Sequence, residues 1–167
     1  AKFVTENLNG IFPSSYEEII KLKGVGEYTA AAIASFAFDE KVAVLDGNVY
    51  RVLSRYFGIM NDISDSKSKK VFLQLANDIL PNQDIYSYNQ GIMEFGALHC
   101  KPQNPYCTLC PLQSSCYAFA NNQQSKLPVK TKKVKVKKRF FNYLIFEHNN
   151  QFFVKKRIEK DLSLIHI

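Results

Sequence analysis

No run of eighteen apolar residues occurs in the 167-residue chain, so it offers no candidate for a membrane-crossing helix, which needs about twenty. The first ten residues, AKFVTENLNG, lack the basic leader and apolar stretch of a signal peptide. The expectation is a soluble, untargeted protein of the cytoplasm with no membrane partner. Cysteine is absent outside residues 100–116, so no disulfide framework ties distant parts of the chain together. Acidic residues are absent between Lys126 and Arg139, where eight Lys and Arg stand, and the remaining 14 basic residues face 15 acidic ones. The net charge of +7 therefore lies in one stripe. A uniformly basic nucleic-acid-binding domain is excluded, and polyanion binding by the rest of the chain must rest on backbone amides and a few placed side chains. With 46% hydrophobic residues, the length suffices for one packed domain and part of a second.

What is present is concentrated in Leu22 to Arg55, LKGVGEYTAAAIASFAFDEKVAVLDGNVYRVLSR. Gly24 and Gly26 permit positive φ and close approach of another chain, and the turn opens directly into a helix whose first N–H groups have no partner of their own. That is a backbone suited to a phosphate. Val25 between the glycines plugs the gap between two helices. Tyr28 to Ala37, dominated by Ala, reads as a central buried helix. The apolar Val42 to Leu45 run returns the chain to the hairpin and delivers Asp46 to the mouth of a helix over Gly47 to Phe57, in which Val49, Val52, Leu53 and Tyr56 share a face. Asp46 is well placed to cap that helix.

The flanks read as packing elements. Lys2 to Leu8 resembles the last turns of a helix closed by Asn9-Gly10. Ser14-Ser15 before Tyr16, Glu17 and Glu18 reads as a capped helix start with Ile19, Ile20 and Leu22 facing inward. Helices are predicted over Lys69 to Leu80, with Val71, Phe72, Leu75 and Ile79 on one side, and over Asp84 to Leu98, with Ile85, Tyr88, Ile92, Phe95 and Leu98 together. Asn121 to Lys138 has no apolar periodicity and reads as a linker. FFNYLIFEHNNQFFVKKR, Phe140 to Arg157, reads as two strand-like runs about a turn at Asn149-Asn150.

Cys100, Cys107, Cys110 and Cys116 stand in the spacing C-x6-C-x2-C-x5-C. Three arrangements compete on the residues alone. An even count allows disulfides, four thiolates can hold zinc, and the tight uneven spacing also permits a [4Fe–4S] cluster.

The hairpin, the Asp and the cysteine loop together resemble the helix-hairpin-helix DNA base-excision glycosylases, and LDGNVYRVLSR is similar to their adenine glycosylase branch, often called MutY. The resemblance covers about Lys2 to Arg157 and departs from the common pattern at Lys23, where many relatives have Pro. It implies a mainly α fold: a partial helix-hairpin-helix domain over 1–120 with a cluster loop at 100–116, a basic linker over 121–138, and the start of a Nudix-like domain over 139–167, whose tail LSLIHI departs from the family. It implies a [4Fe–4S] cluster on Cys100, Cys107, Cys110 and Cys116, DNA contact through Gly24, Val25, Gly26 and Lys101, and catalysis by Asp46 with Tyr28 and Asn48 in support. The family's general-acid Glu falls upstream of Ala1.

The implied activity is a monomeric, cytoplasmic enzyme working at the bacterial nucleoid. It would hydrolyse the N-glycosidic bond of adenine mispaired with 8-oxoguanine or guanine in double-stranded DNA. Endonuclease III-like lyases have a Lys where Tyr28 stands, and a phenol cannot form their Schiff base; that reading is the alternative, and a non-catalytic iron-sulfur DNA-binding module is the other.

Overall fold

The computed structural model describes residues 2–131, 140 and 145–153. The chain divides into two compact units, 1–133 and 134–167. Lys132 to Arg139, most of the basic stripe, and the final LSLIHI lie outside the described residues.

The first unit is helical: α1 (Lys2–Asn7), α2 (Tyr16–Ile19), α3 (Glu27–Phe38), α4 (Gly47–Phe57), α5 (Ser66–Asp78), α6 (Ile85–Leu98), two single 3-10 turns at Cys107–Leu109 and Gln113–Ser115, and α7 (Tyr117–Ala120). Two apolar clusters hold it. Ile19, Ala30 and Ala34 join α2 to α3, with Val25 packed against them. Ala43, Val49, Leu53, Phe72, Ala76, Leu80 and Ile85 form the larger core among α4, α5 and α6. The Ala-rich face of α3 lets its neighbours approach closely, and Ala30, Ala31 and Ala34 are buried.

Several boundaries differ from the sequence expectation for local reasons. α2 stops at Ile19, because Lys21 and Leu22 bond back three residues rather than four and tighten the chain into turns before Gly24. α5 begins three residues early, since Asp65 accepts from the Lys67 N–H and caps the helix there. Val71 and Leu98, expected inside, are exposed. Gly24 has φ +88°, as a left-handed turn requires, whereas Gly26 is extended at φ −97° and serves as the cap residue of α3.

Residues 121–131, expected as linker, are folded onto the first unit. Leu127 is buried, its carbonyl accepts from Arg55 Nε at 2.9 Å, and the Val129 carbonyl accepts from the Ile63 N–H at 2.9 Å. Asp62 closes the arrangement by accepting from the backbone N–H and the hydroxyl of Thr131.

In the second unit, β1 (Glu147–His148) pairs antiparallel with β2 (Gln151–Phe152), Glu147 opposite Phe152. Asn149 and Asn150 both take positive φ, +51° and +59°, the requirement of the tightest hairpin turn.

Candidate functional site

The hairpin presents its backbone to the outside. Gly24 and Gly26 are exposed, and a Cβ added to either would meet nothing within 4 Å. Gly26 has no side chain to cap the first N–H groups of α3, which leaves them for an external acceptor.

Asp46 arrives on a segment whose own polar groups are satisfied by side chains from elsewhere. Val42 to Leu45 belongs to no helix or strand. Instead, Asn89 of α6 accepts from the Val44 N–H at 3.1 Å and donates to the Val42 carbonyl at 2.9 Å and Ser35 Oγ at 2.8 Å. Asn77 accepts from the Ala43 N–H at 3.1 Å. Buried backbone must be paired, and these two asparagines fix the approach to Asp46.

The Asp46 carboxylate is held by three donors. Oδ1 accepts from the backbone N–H of Asn48 and Val49 at 2.9 and 2.8 Å, and Oδ2 accepts from Asn48 Nδ2 at 2.7 Å. A carboxylate has about four lone-pair positions, so one on Oδ2 stays open. Asn48 is fixed in turn, its Oδ1 accepting from Arg51 Nη2 at 2.8 Å.

Arg51 and Arg55 are buried on one face of α4 and carry the connection onward. Arg51 Nε donates to the Cys100 carbonyl at 2.7 Å and Nη2 to the Gly96 carbonyl. Arg55 Nη1 donates to the Lys101 carbonyl at 2.7 Å and reaches Cys100 Sγ at 3.5 Å, while Nη2 donates to the Pro102 carbonyl at 3.1 Å. Burial pushes the Arg51 guanidinium down from its usual value, with Cys100 and Asp46 opposing the shift and Arg55 adding to it. Two buried cations are thus solvated mainly by carbonyl oxygens, an arrangement that specifies the path of the Cys100 to Pro102 backbone.

The four cysteines are free and partly exposed. All four border one cavity, together with Val52, Phe95, Leu112 and His99. Burial raises the Cys107 thiol, and the neighbouring Cys100, Cys110 and Cys116 raise it further, which is the electrostatic mark of thiols gathered together. Among the described residues no group of three or more His, Cys, Asp or Glu is placed to hold a metal ion.

Tyr28 is 47% exposed in the first turn of α3. Its ring borders a cavity of about 200 Å³ with Tyr16, Leu45, Leu73 and the paired Glu27 and Lys69. It makes no hydrogen bond among the described residues, so the structure brings Asp46 and Asn48 together and places Tyr28 near Leu45. Lys101 sits with Nζ 3.8 Å from the centre of the Tyr106 ring, and its hydrogen bond and charge pull the exposed Tyr106 phenol down.

A helix-hairpin-helix motif model matches residues 7–36. Over 161 residues, 96% of the chain, the sequence is 37% identical to the adenine DNA glycosylase of Buchnera aphidicola subsp. Schizaphis graminum. It is also 41% identical over 128 residues, 76% of the chain, to the adenine DNA glycosylase of Homo sapiens. The chain is similar to adenine DNA glycosylases over most of its own length. It spans 46% of the length of the Buchnera protein and 23% of the human one. Among solved structures it resembles a thermostable thymine-DNA glycosylase, with a TM-score of 0.65 and 32% identity over 72% of this chain and 55% of that one. An endonuclease III in a non-covalent DNA complex is also similar, with a TM-score of 0.59 and 28% identity over 74% of this chain and 56% of that one.

Sequence reasoning missed Arg51, Arg55, Asn89 and His99 as members of the site. The signal for the first two was present: two Arg four apart on a helix of otherwise apolar inner face. The partners of Asn89 are backbone groups 45 and 47 residues away and Ser35 Oγ, 54 residues away, which no local pattern supplies.

Proposed function

We propose that the chain carries the DNA-gripping and carboxylate-bearing part of a monofunctional adenine DNA glycosylase of base-excision repair, working in the cytoplasm. The substrate is duplex DNA with adenine opposite 8-oxoguanine or guanine. The observation that carries this reading is the Asp46 carboxylate, oriented by three donors at the helix mouth that follows an exposed Gly-Val-Gly hairpin.

The hairpin N–H groups and Lys101 hold phosphates while the target nucleotide is extruded, since a base inside a duplex cannot be reached. Breaking the bond between adenine N9 and C1′ develops positive charge on the sugar, as in other glycoside cleavage. Asp46 offers the open position on Oδ2 to that charge. Its donors are already in place, so no reorganisation is needed as the charge appears. Asn48 holds Oδ2 in register, and the Tyr28 phenol lies near the sugar. An acid supplied from outside the 167 residues protonates the departing adenine.

Cys100, Cys107, Cys110 and Cys116 would hold a [4Fe–4S] cluster, which when bound ties down the loop bearing Lys101. The donor set supports this: four free thiols border one cavity. A zinc site instead needs four sulfurs about 2.3 Å from a single point. A cluster takes one thiolate at each of four irons around a larger body, which suits donors arranged around a cavity, with Arg55 beside Cys100 to balance their charge.

The endonuclease III likeness favours a second reading, a glycosylase that also cuts the strand through a lysine amine. Tyr28 supplies no such amine. One assay separates the two: the chain is joined to the N-terminal portion of the Buchnera relative and given duplex DNA containing adenine opposite 8-oxoguanine. Free adenine with an intact strand is expected. Strand cleavage with a borohydride-trapped protein–DNA adduct would return the lyase reading to first place, and the 167-residue chain alone should still bind duplex DNA with affinity that falls as salt rises.

A further inference from the structure

His99 follows α6 and directly precedes Cys100. Its ring stacks on Phe95 at 5.1 Å between centroids, and the Tyr106 ring meets it edge-on at 5.9 Å. Two aromatic neighbours therefore fix its orientation. Its Nε2 atom is buried and has no hydrogen-bond partner. An unpaired buried imidazole nitrogen is costly, and a position needing only an aromatic spacer would be served by Phe.

The cavity that His99 lines explains the choice. Its other walls are mainly apolar, and the side-chain acceptors among its lining residues are the four cysteine sulfurs, Gln124 and the hydroxyls of Tyr56, which is already paired with Ser115 Oγ, and Tyr106, whose ring meets His99 edge-on. Arg55 Nη1 already lies 3.5 Å from Cys100 Sγ, so one N–H donor approaches the sulfurs from α4, and His99 lines the same cavity.

We propose that His99 donates an Nε2–H hydrogen bond to a sulfur in this cavity and so sets the electron affinity of the group the four thiolates hold. The inference rests on the cluster reading above. An N–H bond to a sulfur withdraws charge and favours the more electron-rich state, and such bonds are among the means by which a protein tunes iron-sulfur potentials. His99 is a positioning residue here: it touches sulfur, not DNA.

The test uses the 167-residue chain prepared anaerobically, with iron and sulfide measured first. Parent protein, His99→Phe, which keeps the ring stack, and His99→Gln, which keeps an N–H donor, are compared by voltammetry and by resonance Raman in H2O and D2O. The parent is expected to show deuterium-sensitive Fe–S stretching. His99→Phe should lose part of that sensitivity and shift to lower potential, and His99→Gln should recover part of both. Equal potentials and equal deuterium sensitivity in parent and His99→Phe would overturn the inference while leaving the cluster reading intact. A deuterium-insensitive parent would overturn it even if His99→Phe did not fold. Absence of iron and sulfide from the parent would refute the cluster reading itself and this inference with it.

Discussion

Arg51 Nε donates to the Cys100 carbonyl at 2.7 Å, so the helix capped by Asp46 is bonded through a buried cation to the first residue of the cysteine loop. Replacing Arg51 by Met would keep much of the side-chain volume and remove every donor. The Gly96 carbonyl would then lose its side-chain donor, at roughly 1–3 kcal/mol for a buried acceptor stranded, and the Cys100 carbonyl would keep only the longer bond from Arg55 Nη1 at 3.4 Å. Urea denaturation should show a lower midpoint with an unchanged slope.

Gly96 is the contact on which Asn48 rests. A Cβ at this position would lie 2.8 Å from Asn48 Cβ and 2.9 Å from the Asn48 carbonyl oxygen, closer than real Cβ contacts allow. Gly96→Ala should therefore move α4 or α6 at a cost of about 1–3 kcal/mol, as overpacking does. Asn48 would shift away from Asp46 Oδ2, so the loss of adenine release in the longer chimera should exceed what the stability change explains. Single-turnover rates compared with thermal midpoints would show it.

Asp62 holds the end of the first unit. Hydrogen bonds from the Ser64 side chain first, then from Thr131, draw its carboxyl well below the usual carboxylate range. Because the folded value is depressed, the stabilisation is complete above the ordinary carboxylate value of about 3.9 and drains away only as pH falls through the folded value. Amide exchange at Thr131 should therefore stay slow down to about pH 4. Asp62→Ala should make the same amide exchange fast at neutral pH.

The elements that sequence made legible are those with local causes. α4 runs over Gly47 to Phe57 as read, because Asp46 caps one end and Gly58 closes the other. The Asn149-Asn150 turn was visible because few residues accept positive φ at two consecutive positions. Residues 121–131 looked like linker because only Leu127 and Val129 are apolar there and their value lies in what they meet. Leu127 fills a buried site, and its carbonyl accepts from Arg55, 72 residues away. No local pattern encodes that pairing. The same holds for Asn89, whose bonds to Val42, Val44 and Ser35 are set by tertiary structure. The candidate carboxylate was legible through its motif, but the chain of Asn48, Arg51 and Cys100 behind it depends on tertiary carbonyl acceptors.

Cys107 contributes to the cavity through its sulfur, and its own carbonyl accepts from Gln113 Nε2 at 2.9 Å. Cys107→Ser should abolish iron and sulfide binding and loosen the two 3-10 turns beside it. Material isolated without oxygen, assayed for metal, sulfide and proteolytic sensitivity of residues 101–116, tests this. Stoichiometric zinc without sulfide in the parent would replace the cluster by a zinc site.

The central claim is that Asp46 performs chemistry while the hairpin performs binding. Asn caps a helix about as well as Asp, so Asp46→Asn should leave the fold of α4 in place while removing the charge. The decisive measurement is single-turnover adenine release from an adenine:8-oxoguanine duplex by the chain joined to the N-terminal portion of the Buchnera relative, with and without this substitution, beside the DNA dissociation constant of each. Loss of transition-state electrostatic stabilisation should slow release by about a hundred- to a thousand-fold, with the dissociation constant changed by no more than a few-fold. Release within about ten-fold of the parent would fall short of the loss expected for such a group and would contradict the assignment of Asp46.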